Sequence, residues 1–216
     1  MEDNLTVQPR LPRLGEPVPS FEAETTMGTV RLEDFAGSWL ILFSHPADFT
    51  PVCTTEFIAF AGLQEELRQN GVELMGLSID SVFSHLAWVK NIEDNFGVKI
   101  QFPVIADLDR KVASLFGMIM PGESKTETSR CVFVIDPKGI LRAMIYYPLT
   151  TGRNMQEILR LIKALQTSDA YGVATPANWQ PGDKVLAPPP RTQEALEERL
   201  QAGFECTDWY FCKKNL

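Results

Sequence analysis

Trp39-Leu40-Ile41-Leu42-Phe43-Ser44-His45-Pro46-Ala47-Asp48-Phe49-Thr50-Pro51-Val52-Cys53-Thr54-Thr55-Glu56 decides the fold, because one run holds a strand, a turn and a helix start. The apolar residues Trp39 to Phe43 read as a buried strand, and Phe57, Phe60, Leu63 and Leu67 then recur at helical spacing. Pro51 has no backbone N–H to lose and a pre-set φ, which suits the first helical position, with Thr50 before it as N-cap. Cys53 is therefore expected in the first helical turn. There the unpaired N–H groups and the positive end of the helix dipole favour a thiolate. A free cysteine of pKa near ~8.5 is only a few per cent thiolate at neutral pH, whereas a depression to about 6 would make it roughly ninety per cent. That gain is about thirty-fold, so fast chemistry also needs groups that position an electrophile and stabilise a leaving oxygen.

Working outward, Val18, Phe21 and the alternating Thr29-Val30-Arg31-Leu32 predict a short hairpin closed by Met27-Gly28. A strand over Val72–Ile79 completes a β-α-β unit with parallel strands. Leu86, Val89, Ile92 and Phe96 are read as the apolar stripe of the next helix, followed by a strand near Phe102–Ile105 and a helix from Asp109 to Phe116 stopped by Gly117. Cys131–Ile135 and Ala143–Tyr147 flank the turn Asp136-Pro137-Lys138-Gly139, and Met155, Ile158, Leu159, Ile162 and Leu165 mark a long helix. The pattern is α/β with a mixed central sheet flanked by helices, compatible with a thioredoxin-like fold.

Composition shifts near Ser168, which divides the chain into a thioredoxin-like domain at 1–168 and a C-terminal arm at 169–216. From Ala174 to Pro190 the arm is too rich in Pro, Gly and polar residues for core elements, with Trp179 as its anchor. A short polar helix from Thr192 to Ala202 leads to the aromatic tail Phe204-Glu205-Cys206-Thr207-Asp208-Trp209-Tyr210-Phe211-Cys212, which is expected to pack on something, such as another subunit.

The 216 residues, 44% hydrophobic and 22% charged, have ordinary globular composition. A net charge of −8 with no basic run argues against nucleic acid or an anionic membrane surface as partner. No apolar run approaches a membrane span, and Met1 to Pro12 is polar rather than signal-like, so a cytoplasmic location is expected. Four cysteines without dense spacing do not form a secreted disulfide scaffold. In a reducing compartment they are redox groups, metal ligands or buried residues. Cys131, inside Cys131-Val132-Phe133-Val134-Ile135, reads as core, and His85 as a structural histidine. Structural zinc at Cys206 and Cys212 is disfavoured, because the tail offers no second closely spaced pair; no metal and no cofactor are expected.

The string Pro46-x-x-x-Thr50-x-x-Cys53, with Thr54-Thr55-Glu56 behind it and Thr128-Ser129-Arg130 opening a later strand, resembles the peroxiredoxins. His45 before Pro46, Ser78-Ile79-Asp80-Ser81, His85-Leu86-Ala87-Trp88, Pro148-x-x-Thr151-Gly152-Arg153-Asn154 and Ala174-Thr175-Pro176-x-x-Trp179 are similar to the one-cysteine-type subfamily. The tail Cys206-x5-Cys212 is similar to those members, well represented among archaea and thermophiles, that carry C-terminal cysteines.

The resemblance implies a thiol peroxidase acting on hydrogen peroxide and small organic hydroperoxides, with electrons from a dithiol donor such as a thioredoxin- or glutaredoxin-like protein. Cys53 would be the nucleophile. Arg130 would support the thiolate and hold the peroxide oxygens; Thr50 would bond the cysteine–peroxide pair; Pro46 would shield the sulfur; the Val52 and Cys53 N–H groups would stabilise the leaving oxygen. Glu56 and Arg153 match supporting positions, with Glu56 orienting an arginine, and His45 is a candidate hydrogen-bond partner. Cys53 sulfenic acid would be resolved by Cys212, with Cys206 exchanging with it or substituting for it, and the two tail sulfurs could pair as a relay. The resemblance also implies a homodimer, assembled as a pentamer of dimers. A competing reading is a ring-forming holdase or redox-sensing assembly. A thioredoxin-like disulfide exchanger is weakened by the absence of Cys-x-x-Cys.

Overall fold

The computed structural model describes residues 11–216, so the polar lead up to residue 10 lies outside the described residues. Two compact units divide the chain, one ending at Arg153 and the other running from Asn154 to Leu216. The boundary drawn from composition at residue 168 thus falls inside the first helix of the second unit.

The first unit carries strands β1 (Glu22–Thr25), β2 (Gly28–Arg31) and β3 (Trp39–Ser44), helix α1 (Pro51–Gln69), strand β4 (Val72–Ser78), helix α2 (Val82–Phe96), strand β5 (Val104–Ala106), helix α3 (Lys111–Phe116), and strands β6 (Arg130–Ile135) and β7 (Leu141–Tyr147). The seven strands form one mixed sheet in the order β2-β1-β5-β4-β3-β6-β7. Strand β3 runs parallel to β4, as the β-α-β reading requires, and antiparallel to β6. All six residues of β3 are buried, which is why it reads as a continuous apolar run rather than an alternation. Its Phe43 stacks on Phe60 at 4.1 Å and meets Phe57 edge-on at 5.6 Å, fixing α1 against the sheet. Gly76 on β4 leaves room for those rings, since a Cβ there would lie 3.3 Å from both Phe43 and Phe57.

Helix α2 departs from its expected phase. Leu86 and Phe96 are exposed, and the buried face is His85, Trp88 and Ile92. A buried histidine is stable here because both ring nitrogens have partners, as described below, so the polar residue holds the core side. Helix α3 starts at Lys111 rather than Asp109, because Arg110 adopts a left-handed φ of 59°. Its first turn is capped by Asp107, whose carboxylate accepts from the N–H groups of Val112 at 3.1 Å and Ala113 at 2.7 Å.

The second unit holds α4 (Met155–Tyr171), β8 (Val185–Leu186), α5 (Gln193–Gln201), β9 (Glu205–Asp208) and β10 (Phe211–Lys214). Asn154 caps α4 by accepting from the N–H groups of Gln156 and Glu157. Trp179 is buried with Ala164, Val173 and Val185, and its indole N–H donates to the Asp183 carbonyl at 3.1 Å. The aromatic tail forms a hairpin: β8, β10 and β9 make a three-stranded sheet, which also recruits Val185–Leu186 from the Pro-rich stretch read as too irregular for such an element. No helix among the described residues is long and apolar enough to cross a membrane.

Candidate active site

Cys53 is fully buried at the third position of α1, with Thr50 as N-cap and Pro51 at the helix start. Phe49 enters this turn with φ 55°, a left-handed conformation that sets the chain's reversal between β3 and α1. Thr50 departs from a simple capping role. Its hydroxyl donates backward to the Ala47 carbonyl at 2.9 Å, and no side chain caps the helix. The first-turn N–H groups are left without a side-chain partner from the cap, which suits a site that receives negative charge.

Arg130, the first residue of β6, donates Nη1–H to Cys53 Sγ at 3.3 Å and to Glu56 Oε2 at 2.8 Å. The other side of its guanidinium is tied down, with Nε and Nη2 donating to the Leu149 carbonyl at 2.9 and 2.7 Å. Glu56, one turn beyond Cys53, also accepts from Arg153: the backbone N–H at 2.8 Å and Nε at 2.9 Å reach Oε1, while Nη2 reaches Oε2 at 2.7 Å. Arg153 Nη1 donates to the carbonyls of Ser44 at 2.9 Å and Cys131 at 2.7 Å, and its guanidinium lies over Phe43 and Phe60. One carboxylate therefore orients two arginines at the joint of β3, α1 and β6. Burial would raise the Glu56 carboxyl, but Arg153 and then Arg130 hold it below its ordinary value. Such a buried charge network is stable only when every donor and acceptor is matched, and here each guanidinium nitrogen finds an oxygen or the sulfur.

Of the residues singled out in the sequence, Cys53, Arg130, Glu56 and Arg153 are in this network. Pro46 is buried in the turn, and Val52 is half-buried beside Cys53. His45 is completely buried and belongs to a neighbouring cluster with Asp48 and His85, two residues to which the sequence reading gave no chemical role. His45 Nε2 lies 2.9 Å from Asp48 Oδ1, and His85 Nδ1 lies 2.8 Å from Asp48 Oδ2. The signal for Asp48 was its place three residues after His45 in the same turn. A second aspartate, Asp80, accepts from the Asp48 backbone N–H at 3.0 Å and so fixes the turn to the end of β4. The ligating atoms of His45, Asp48 and His85 lie within 4.8 Å of one another, so a metal ion is a geometric option, but it would have to displace the protons of these hydrogen bonds.

Cys131 is buried and free, and burial pushes its thiol up to about 12, so it stays protonated. Cys206 and Cys212 are directly opposite one another across β9 and β10, with Cα atoms 4.0 Å apart, and form a disulfide. Cys212 is buried, whereas Trp209 and Tyr210 at the hairpin tip are exposed.

Comparison with known proteins agrees with this geometry. Residues 14–144 match the AhpC/TSA family, and residues 164–203 match the C-terminal domain of 1-Cys peroxiredoxin. A peroxiredoxin of Aquifex aeolicus is 59% identical over 217 residues, covering 95% of this chain and 98% of the relative. One from Thermotoga maritima is 52% identical over 213 residues, covering 96% and 99%. Among solved structures, a yeast mitochondrial 1-Cys peroxiredoxin, studied for thiol resolution via glutathione/thioredoxin systems, is 40% identical with a TM-score of 0.84, covering 94% of this chain and 99% of that one. A cysteine-to-serine mutant of peroxiredoxin 6 of Arenicola marina is 39% identical with a TM-score of 0.86, covering 94% and 97%. The mixed sheet is thus thioredoxin-like, and with a buried cysteine at a helix start, an arginine on its sulfur and relatives of this identity along nearly the whole length, the chain belongs to the peroxiredoxin family of thiol peroxidases.

Proposed function

We propose that the protein reduces hydrogen peroxide and small organic hydroperoxides through Cys53, and that its C-terminal cysteines recycle the oxidised sulfur. The observation that carries this reading is the 3.3 Å contact from Arg130 Nη1 to Cys53 Sγ in a pocket where Glu56 fixes that arginine. A permanent cation held at the sulfur supports a thiolate and can also bind the oxygens of a peroxide. The thiolate attacks the terminal oxygen; an S–O bond forms and the O–O bond breaks. Two electrons pass from sulfur to the peroxide, and the leaving oxygen departs as water or alcohol after taking up a proton. Arg130 and the Val52 and Cys53 N–H groups stabilise the charge that develops there, Thr50 bonds the reacting pair, and Pro46 keeps water from the sulfur. Glu56 and Arg153 keep the donor in place.

Cys53 is left as a sulfenic acid. Cys212 thiol attacks that sulfur, forming a disulfide and releasing water, and Cys206 thiol then exchanges onto Cys212 to free Cys53. A Cys206–Cys212 disulfide, the bond present in the structure, is the product expected of such an exchange whichever tail cysteine attacks first. A dithiol protein of the thioredoxin or glutaredoxin class would reduce it, in a reducing compartment such as the cytoplasm. The exposed Trp209 and Tyr210 at the hairpin tip support assembly as a homodimer, built up into a pentamer of dimers.

The test is peroxide consumption with dithiothreitol, comparing wild type, Cys53→Ser and the double variant Cys206→Ser/Cys212→Ser, with non-reducing gels. Loss of activity in the first, with over-oxidised Cys53 and no disulfide in the double variant, is the expected outcome. Activity surviving Cys53→Ser removes the reading, and a Cys53 disulfide in the double variant moves resolution to an outside thiol.

A further inference from the structure

The pairing of β6 with β7 ends at Arg130 and Tyr147. Leu149, whose carbonyl accepts from Arg130 Nε and Nη2, is two residues past that pair, in the segment that leads out of the sheet. Its place is therefore set by something other than the ladder. The aim of the arginine at the sulfur depends on it, because a donor that drifts with its anchor is no longer preorganised.

Glu123 supplies the anchor. It stands in the exposed loop before β6, and its Oε2 accepts from the Leu149 backbone N–H at 3.2 Å and from the Ser129 hydroxyl at 3.4 Å. Ser129 immediately precedes Arg130 and is buried. One carboxylate oxygen thus ties the residue before the arginine to the residue whose carbonyl holds the arginine's far side. The loop is braced so that the carboxylate stays there. The N–H groups of Glu123 and Ser124 both donate to the Met120 carbonyl, at 2.8 and 3.0 Å, and the Ser129 N–H donates to the Met118 carbonyl at 2.8 Å. The Ser124 hydroxyl accepts from the N–H groups of Thr126 at 3.3 Å and Glu127 at 3.1 Å, which closes the loop on itself. At the other end of the outgoing segment, the Arg153 N–H is held by Glu56 at 2.8 Å. Two carboxylates therefore act on the two edges of one guanidinium: Glu56 binds Nη1 of Arg130 directly, and Glu123 fixes the carbonyl that binds Nε and Nη2.

We infer that Glu123 is a positioning residue for the peroxidase reaction, which through the Leu149 carbonyl holds the Arg130 guanidinium at the angle where its Nη1 meets Cys53 Sγ. It acts through Leu149 and not on the sulfur. What the reaction needs of it is an acceptor and not a charge, because both groups it binds are neutral donors, a backbone N–H and a hydroxyl. A glutamine, whose side-chain oxygen accepts in the same way, can therefore replace it, whereas alanine cannot. The inference rests on the peroxidase reading above.

The test compares Glu123→Ala and Glu123→Gln with wild type in two readouts: the rate constant of Cys53 with hydrogen peroxide by stopped flow, and hydrogen exchange at the Leu149 amide. Glu123→Ala should slow Cys53 oxidation about fivefold, the equivalent of one lost hydrogen bond, and Glu123→Gln should stay within about twofold of wild type. The Leu149 amide should be protected from exchange in wild type and in the glutamine variant, and lose that protection in the alanine variant. A merely structural bracing of the loop would lower the melting temperature of Glu123→Ala and leave the rate of the folded protein where it is, which overturns the inference. Equal slowing in the alanine and glutamine variants overturns it as well, since the effect would then belong to charge. A Leu149 amide that exchanges freely in wild type overturns it whatever the variants do. Failure of wild-type Cys53 to react with peroxide at all would instead remove the peroxidase reading, and the inference with it.

Discussion

Arg130 meets Cys53 and Glu56 through the same atom: its Nη1 is 3.3 Å from the sulfur and 2.8 Å from Oε2 of the carboxylate. The cation at the sulfur is thereby aimed by a group on the same helix as the sulfur, one turn away. Arg153 doubles the effect, since it binds both oxygens of Glu56 and spans to the ends of β3 and β6. The helix start, the strand end and the arginine are locked into one geometry before substrate arrives.

Replacing Arg130 by Lys keeps the charge but loses the fork that also holds the Leu149 carbonyl and Glu56. The rate constant of Cys53 with hydrogen peroxide should fall on the order of 100-fold, as for loss of a preorganised donor. Glu56→Gln keeps both arginines but loosens them, and about tenfold is expected. Stopped-flow tryptophan fluorescence checks both, and a lysine variant within about threefold of wild type would show that charge alone suffices.

Cys131 should be chemically silent, although it is a free cysteine, because it is fully buried in β6. Its thiol is pushed up to about 12 by burial, against which the Ser44 hydrogen bond acts only weakly, so almost none is thiolate at neutral pH. After treatment with excess hydrogen peroxide, peptide mass spectrometry should find the sulfinic and sulfonic forms at Cys53 and recover Cys131 as the thiol. Oxygen on Cys131 in folded protein would contradict this.

Stability should fall as the solution is acidified, in two stages. Burial holds His45 below the ordinary 6.5 of an imidazole, so its contribution to stability is complete above that pH and is lost as pH drops below it. Glu56 is resisted by burial but held below its ordinary 4.5 by Arg153 and Arg130, so its contribution is present above 4.5 and is lost as pH falls through its lower folded value. Melting temperatures across this range should show both declines in wild type, and Glu56→Gln should start lower at pH 7 and flatten the second. An unchanged second decline in that variant would assign it elsewhere, Asp48 being the first alternative because its two histidine partners also hold it low.

The parts of this architecture that could be read in the sequence are those where one physical signal dominates. Strand β3 is buried on both faces and α1 begins at a proline, so hydrophobic run and helix start coincide at Cys53. Helix α2 was read out of phase because its core face is made by His85 and Trp88, which look amphipathic until Asp48 and the Ile105 carbonyl are known to satisfy the histidine. The tail hairpin was invisible for the opposite reason. All four residues of β9 are exposed, so no alternation marks the strand, and the pairing is declared only by Cys206 facing Cys212. Arg130, Glu56 and Arg153 are separated by up to 97 positions, and without a resemblance nothing local would have joined them.

With the tail disulfide formed, peroxide is expected to act on Cys53 differently than in the reduced protein. With Cys206 and Cys212 joined, neither tail sulfur is a thiol, and Cys131 is buried, so oxidised Cys53 has no partner within its own chain. Protein prepared without reductant and given one equivalent of hydrogen peroxide should therefore accumulate sulfenic acid, trapped by dimedone as a single adduct on Cys53, and further peroxide should carry it to the sulfinic acid. Protein first reduced with a phosphine, then freed of it, should give little adduct and instead release water as the tail resolves Cys53. Its final state should again be the Cys206–Cys212 disulfide with Cys53 as a thiol. Intact-mass measurement separates the outcomes: a sulfenic adduct that is equally abundant in both preparations would place the tail outside the catalytic cycle, whereas protection found only after reduction would make the hairpin the gate between turnover and inactivation.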